Sequence, residues 1–139
     1  MYNKYIKGFT LVEIMLVVII IGALSAMIIP RLAGRGEQAK IKIAKSDIES
    51  NLPTGLKLYE LDNGIFPSTA QGLSALRTRP ATNPIPQNWN GPYLEREPLD
   101  PWGHTYVYAS PGEHRSDYDL SSKGKDETSD KDDILNWQQ

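Results

Sequence analysis

The chain has 139 residues, with 15 basic and 17 acidic side chains, so its formal net charge at pH 7 is -2. Because there is no basic surplus, the composition gives no sign of a nucleic-acid partner. The sequence contains no cysteine, which excludes disulfides. A small exported domain without disulfides often depends instead on a metal ion or on oligomerisation.

An unbroken apolar run extends from Phe9 to Ile29, and Glu13 supplies the only charge within it. Its roughly 21 residues would form about 31 Å of helix, which matches the hydrocarbon core of a bilayer. We therefore predict that residues 9–30 form a single membrane-spanning helix. A carboxylate inside such a helix is by default a functional group with a partner. The alternative is that Glu13 reaches back to the lipid headgroups.

The eight residues before this run carry two lysines and no acid, as the positive region of an export signal does. A signal peptidase would cut after the apolar stretch, but here a glycine, Gly8, precedes it. The string from Lys7 to Glu13 resembles the leader of type IV pilins and pseudopilins. That resemblance implies that a prepilin peptidase cuts on the cytoplasmic face after Gly8 and methylates the new terminus at Phe9. Residues 1–8 would then be a cleaved leader, and the anchor would remain with its N-terminus in the cytoplasm.

Beyond the span, the apolar residues recur at three- and four-residue steps, which predicts an amphipathic helix as far as about Leu61. These residues are Ile41, Ala44, Ile48, Leu52, Leu56 and Tyr59. Pro30 and Pro53 each remove a backbone hydrogen bond, so we expect a kink or local unwinding near each. The helix should end at residues 62–64, because Asn and Gly accept the left-handed conformation of a C-cap. Residues 31–139 would form one soluble domain, against which the amphipathic half packs.

Prolines and glycines punctuate the chain after this helix. We predict a short helix that is capped by Ser68 or Thr69 and ends near Arg77. Two short antiparallel strands follow at residues 105–109 and 118–121, the first with its two tyrosines on one face. The predicted fold class is α+β. The resemblance narrows it to a type IV pilin-like fold, in which a long N-terminal helix packs on a small antiparallel sheet.

Five strings in the soluble half resemble a narrower family, the major pseudopilins of type II secretion systems. They are Leu58–Gly64, Phe66–Thr69, Gln71–Leu73, Asp100–Gly103 and Tyr108–His114. The resemblance implies a subunit that is held in the bacterial inner membrane with its C-terminal domain in the periplasm. It would polymerise into a periplasmic pseudopilus that drives folded proteins across the outer membrane. Its partners would be further copies of itself, the prepilin peptidase, minor pseudopilins, the inner-membrane assembly platform and, before assembly, membrane lipid.

In such a filament the membrane helices are packed together, so a buried carboxylate needs a nearby cation. We predict that Glu13 pairs with the amino group of Phe9 in a neighbouring subunit.

Seven acidic side chains lie within residues 117–133: Asp117, Asp119, Asp126, Glu127, Asp130, Asp132 and Asp133. A loop rich in carboxylates could bind calcium, or it could simply be solvated. Major pseudopilins bind calcium in this region, and Ser122–Asp126 resembles the first half of their site. The resemblance implies a structural calcium ion held by the Asp126 side chain and the Lys123 carbonyl. The second carboxylate ligand would be Asp130 or Asp132.

The sequence shows no catalytic set, because His104 and His114 lie in turns without a thiol partner and no phosphate-binding glycine loop follows a strand. We therefore do not expect an enzyme. Two alternatives share the leader, a type IV major pilin and a minor pseudopilin. The first usually has a C-terminal disulfide, and the second should lack the five strings and the acidic loop. A membrane-anchored binding or enzyme domain would need neither Gly8 nor Glu13.

Overall fold

The computed structural model describes residues 8–126 and 128–138, with the backbone alone for residues 29–33. The predicted leader, apart from Gly8, lies outside the described residues. The chain divides into two compact units, Met1–Gln38 and Ala39–Gln139.

Helix α1 spans Leu11–Ser46, so it begins in the first unit and ends in the second. Within it, Leu11–Ile28 is long and apolar enough to cross a membrane, and none of this stretch is buried in the structure. The α-helix continues through Pro30. The local unwinding expected near Pro30 is therefore not found.

Within the second unit, the end of α1 is followed by a π-helical turn, Asp47–Asn51, and helix α2, Leu52–Asn63. We call this continuous helical segment the helical path. In the π turn, the backbone N–H of Leu52 donates to the carbonyl of Asp47, five residues earlier. Pro53 follows directly and has no N–H to donate, so the unwinding expected near it takes the form of this wider turn. Helix α2 ends at Gly64, which has φ of 77° and donates its N–H to the Glu60 carbonyl. The predicted C-cap is confirmed.

The short helix predicted to end near Arg77 is wrong in type and length. The structure has a 3₁₀ helix, Leu73–Leu76, preceded by turns. Gly72 lies immediately before it with φ of 60°, a left-handed conformation that an α-helix cannot include. The serine-rich, proline-flanked sequence therefore closes as tight local turns and does not propagate an α-helix.

Three short strands form one antiparallel sheet in the order β1-β2-β3: Val107–Ala109, Asp119–Ser122 and Ile134–Leu135. The first two confirm the predicted strands, although both are shorter or shifted by a residue. The third strand was not predicted. On β1, the tyrosine at position 108 is buried whereas its neighbour Val107 is exposed, as the alternation indicated.

The hydrophobic core belongs to the second unit and lies between the sheet region on one side and the π turn and α2 on the other. The π turn and α2 contribute Ile48, Leu52, Leu56 and Tyr59, and the sheet region contributes Tyr106, Tyr108, Tyr118 and Leu120. Burial of each large apolar side chain stabilises the fold by about 1.5 to 3 kcal/mol. Ile41 shares the predicted apolar period but is exposed, so the buried face of the helical path begins at Ala44.

Candidate functional site

The predicted processing junction lies at the start of the described chain. Gly8 and Phe9 are both exposed, and a Cβ built on Gly8 would meet no atom within 4 Å. The backbone on either side of the predicted scissile bond is therefore accessible in this structure.

Glu13 closes the start of α1 through a reciprocal cap with Thr10. The Thr10 amide and hydroxyl donate to Oε2 of Glu13 at 2.9 and 3.0 Å, and the Glu13 amide donates to the Thr10 hydroxyl at 3.2 Å. This is a capping box, and its sequence signal is a threonine three residues before a glutamate at the start of an apolar run. We missed that signal in the sequence. These hydrogen bonds use only Oε2, so the carboxylate can accept a further bond at Oε1.

The acidic C-terminal loop is closed by two of its own carboxylates. Oδ2 of Asp132 accepts the amides of Lys125 at 3.0 Å and Asp126 at 3.4 Å. Oδ1 of Asp126 accepts the amide of Ser129 at 2.7 Å. Gly124 lies beneath Asp132 with φ of 68°, and a Cβ there would fall 2.6 Å from the Asp132 carbonyl oxygen. The glycine is therefore required both by its conformation and by the close approach of the chain.

The predicted calcium ligands are only partly brought together. The backbone amide of Asp126 donates to the Asp132 carboxylate, which brings these two residues together. Asp130 and the Lys123 carbonyl take no part in these described hydrogen bonds. The pKa of Asp133 is raised, chiefly because burial disfavours its charged form. The nearby charges of Asp130 and Asp132 raise it further. Within residues 8–126 and 128–138, no group of three or more His, Asp or Glu side chains is arranged to hold a metal ion. The loop therefore concentrates negative charge around Asp133.

A buried aspartate, Asp119 on β2, holds the loop that follows β1. Its carboxylate accepts the backbone amides of Glu113 at 2.8 Å, His114 at 2.9 Å and Arg115 at 3.0 Å. Nδ1 of His114 also lies 2.8 Å from Oδ2 of Asp119. Burial raises the pKa of Asp119, but the hydrogen bonds from His114 and from the neighbouring amides outweigh that effect and leave the pKa below its ordinary value.

The same loop holds the C-terminal segment of the chain. The ring of His114 stacks on Trp137, with centroids 4.3 Å apart and planes 4° apart. Arg115 donates from Nη1 to the Asn136 carbonyl at 3.3 Å. The Asn136 side chain accepts the amide of Leu120 at 3.0 Å, next to the sheet. His114, the last residue of the Tyr108–His114 string, and its neighbour Arg115 therefore hold residues 136–137 in place.

A second buried aspartate, Asp100, organises the turn at residues 100–104. Its Oδ1 accepts the amides of Trp102 at 3.0 Å and His104 at 2.8 Å, and its Oδ2 accepts the hydroxyl of Ser122 at 2.7 Å. The Asp100–Gly103 string and the end of the Tyr108–His114 string are thus each held by a carboxylate that binds backbone amides. His104 lies beside Asp100, and His114 lies beside Asp119. In each pair the aspartate binds backbone amides and so stabilises the fold.

Comparisons with known proteins identify both halves of the chain. A family model described as prokaryotic N-terminal methylation motif matches residues 3–29, and the model for type II secretion system (T2SS), protein G matches residues 31–137. The type II secretion system core protein G of Pseudomonas aeruginosa is 46% identical, with 99% of each chain covered. That of Escherichia coli strain K12 is 47% identical, covering 94% of this chain and 90% of its own.

A solved structure agrees with these relatives. The crystal structure of the major pseudopilin from the type 2 secretion system of enterohaemorrhagic E. coli matches with a TM-score of 0.66 and 38% identity. The match covers 78% of this chain and 95% of that one. These similarities favour the major pseudopilin over the minor pseudopilin and the type IV pilin, and they confirm a structural subunit in place of an enzyme. The chain belongs to the protein G family of type II secretion systems, the major pseudopilins.

Proposed function

We propose that this protein polymerises into the periplasmic pseudopilus of a type II secretion system and thereby helps to drive folded proteins across the outer membrane. The observation that carries the proposal is similarity over 99% of the chain to a type II core protein G. An exposed apolar helix, Leu11–Ile28, supports it, because such a surface needs either lipid or other helices around it.

Before assembly, the subunit would lie in the bacterial inner membrane as a single-pass protein, with its N-terminus in the cytoplasm and residues 31–139 in the periplasm. Prepilin peptidase would remove residues 1–8 and methylate Phe9. The accessibility of Gly8 and Phe9 suits that step. Minor pseudopilins and the inner-membrane assembly platform would then incorporate the mature subunit into the filament.

We propose that Glu13 has two consecutive roles. In the single subunit, its Oε2 caps α1 together with Thr10. In the filament, its charge would pair with the Phe9 amino group of a neighbouring copy, which cleavage creates. The cap and the ion pair are compatible, because a carboxylate accepts several hydrogen bonds at its two oxygens.

We also propose that calcium stabilises the acidic loop, with Asp126 and the Lys123 carbonyl as ligands and Asp132 or Asp130 as the second carboxylate. Support comes from the resemblance to the family and from the four carboxylates that crowd residues 126–133 beside Asp126: Glu127, Asp130, Asp132 and Asp133. A cation would offset their mutual repulsion. The ion would serve the fold and not a reaction.

Deletion of the gene in a strain that naturally produces the protein tests the proposed function. We expect secretion of folded proteins to be lost, twitching motility to remain, and the gene in trans to restore secretion. Lost motility with intact secretion would instead identify a type IV pilin.

A further inference from the structure

The chain contains two Asn-Gly pairs, Asn63–Gly64 and Asn90–Gly91, and the structure places them in different environments. Asparagine is a chemically labile residue. It is most labile before glycine, because a residue without a side chain leaves its backbone nitrogen open to approach the asparagine side chain. The local structure around each pair therefore decides which of them can deamidate in the folded protein.

Asn63–Gly64 lies at the end of α2, where the groups that would react are held. Nδ2 of Asn63 donates to the Tyr59 carbonyl at 3.0 Å, and the side-chain oxygen of Asn63 is buried. The Gly64 N–H donates to the Glu60 carbonyl at 2.6 Å and closes the C-cap. The last turn of the helix therefore has to open before the Gly64 nitrogen can attack the Asn63 side chain.

Asn90–Gly91 lies in a segment that is neither helix nor strand, and Asn90 is exposed. The backbone N–H of Asn90 donates to the Tyr93 hydroxyl at 2.9 Å. Among residues 8–126 and 128–138, however, no hydrogen bond is made by the Asn90 side chain or by the Gly91 N–H. The amide that would be attacked and the nitrogen that would attack it are therefore not restrained as they are at Asn63–Gly64.

Packing requires the glycine at position 91. A Cβ on Gly91 would lie 2.4 Å from the Trp89 ring. That ring is fixed, because Nε1 of Trp89 donates to the Ala75 carbonyl at 2.9 Å and the ring meets Tyr93 edge-on, with centroids 5.7 Å apart. The fold therefore excludes the side chain at position 91 that would slow the reaction.

The other asparagines of the described residues precede leucine, tryptophan or proline: Asn51, Asn83, Asn88 and Asn136. Bulky side chains hinder the attack by the following nitrogen, and the nitrogen of proline has no hydrogen to lose. Asn90 is therefore the most reactive asparagine of the part of the chain that the structure describes.

We propose that Asn90 is a site of spontaneous deamidation in the folded protein, with isoaspartate and aspartate as products. The Gly91 nitrogen loses its proton and attacks Cγ of Asn90, the bond from Cγ to Nδ2 breaks, and ammonia leaves, so that a succinimide ring forms. Water then adds to one of the two ring carbonyls and opens the ring to isoaspartate or to aspartate. One water is consumed, one ammonia is released, and nothing is oxidised. The reaction does not depend on the proposed function, since it needs only water and the folded chain.

Isoaspartate at position 90 would disturb the contacts of its neighbours. It adds one carbon to the main chain between residues 90 and 91, directly against the Trp89 ring. The Tyr93 hydroxyl, which accepts the Asn90 amide, also donates to Oδ2 of Asp62 at 2.7 Å. Trp89 and Tyr93 both pack against the hydrophobic core. We therefore expect the modified chain to hold these two rings less tightly.

Peptide mapping of the full chain in detergent micelles tests the proposal. The folded protein is kept at mildly alkaline pH in water that carries heavy oxygen, which labels only the sites that react during the incubation. Trypsin then separates the two pairs, since it cuts after Arg77. Electron-transfer fragmentation distinguishes isoaspartate from aspartate. We expect labelled isoaspartate to accumulate at Asn90 at least about ten times faster than at Asn63, where the helix end has to open first.

Two controls isolate the effect of the fold. In concentrated urea the helix end is lost, so the rates at Asn63 and Asn90 should agree to within about a factor of three. Asn90→Gln is the matched variant, because its longer side chain would have to close a less favourable, larger ring. Position 90 of that variant should stay unlabelled during the same incubation.

Equal rates at Asn63 and Asn90 in the folded protein would overturn the proposal. Conversion of Asn90 in urea alone would overturn it as well, since it would show that the fold protects this pair too. Tryptophan fluorescence then tests the consequence. Aged wild-type protein should show a shifted emission, whereas Asn90→Gln aged in parallel should not. An unchanged spectrum from protein that is mostly converted would overturn the expected loosening of Trp89.

Discussion

Replacement of Asp119 by alanine should destabilise the soluble unit more than any comparable change at an exposed acid. The carboxylate accepts three backbone amides at 2.8 to 3.0 Å and contacts the His114 ring. A partly buried donor that loses its acceptor costs at least about 1 kcal/mol, so three amides give about 3 kcal/mol. At an m-value of about 1.5 kcal/mol/M, the urea midpoint should fall by about 2 M.

The assay is urea unfolding of the full chain in detergent micelles, followed by tryptophan fluorescence. Trp137 stacks on His114, so its environment reports directly on the loop that Asp119 holds. Asp117→Ala is the matched control, because Asp117 pairs with Arg115 at the surface and such pairs contribute about 1 kcal/mol or less. Equal losses in the two variants would refute the reasoning.

The same change predicts a difference in pH dependence. Hydrogen bonds lower the pKa of Asp119 in the folded state. The ionised carboxylate therefore contributes its full share of the folding stability at any pH above the unfolded-state pKa of about 4. That contribution disappears as the pH falls through the lower, folded-state pKa. The difference in stability between wild type and Asp119→Ala should therefore be constant from pH 5 to 7 and shrink in more acidic solution. A difference that grows on acidification would contradict the assignment.

Three further outcomes test the membrane end and the acidic loop. Mass spectrometry of assembled protein should find a chain that begins at methylated Phe9, and an intact leader ending in Gly8 would contradict the proposed processing. Glu13→Gln retains the capping box but removes the charge, so this variant should be cleaved normally yet fail to assemble. The control Thr10→Ala should assemble. Filaments from Glu13→Gln would favour a capping role alone. Calcium at ten times its Kd should stabilise wild type by about 1.4 kcal/mol, or roughly 7 °C in Tm, and leave Asp126→Ala unchanged. A wild-type Tm that ignores both calcium and chelator would show that the loop is only solvated.

The features that the sequence predicted correctly depend on residues close together in the chain. The end of α2 at Gly64 follows from the conformational freedom of glycine, and the burial of Tyr108 opposite Val107 follows from strand alternation. Both are local rules of backbone geometry. The family resemblance likewise rests on short continuous strings, and the comparisons confirm it.

The features that the sequence did not reveal depend on distant partners. Strand β3 has only two residues, and it exists because Ile134 pairs with Ser122, a contact that no local pattern encodes. Asp119 resembles any other acid of the C-terminal region, and only the fold shows that it binds the amides of residues 113–115. The Thr10–Glu13 cap is different, because its sequence signal is local. A charge within an apolar run is more unusual than a capping box, and Glu13 was therefore interpreted as one half of an ion pair.

The π turn resolves a conflict between the spacing of the core residues and the geometry of an α-helix. The buried side chains Ala44, Ile48, Leu52 and Leu56 recur at steps of four and are 0, 1, 4 and 0% exposed. In a regular α-helix each step of four overshoots a full turn by about 40°, so three steps would spread these side chains over about 120°. A π turn holds more residues per turn, and at Asp47–Asn51 it takes back part of that rotation in the middle of the series. The π turn lies directly before Pro53, which lacks a backbone N–H and already interrupts the hydrogen bonding of the helix. The two irregularities therefore fall at one place. The wider turn thus keeps one face of the helical path on the core.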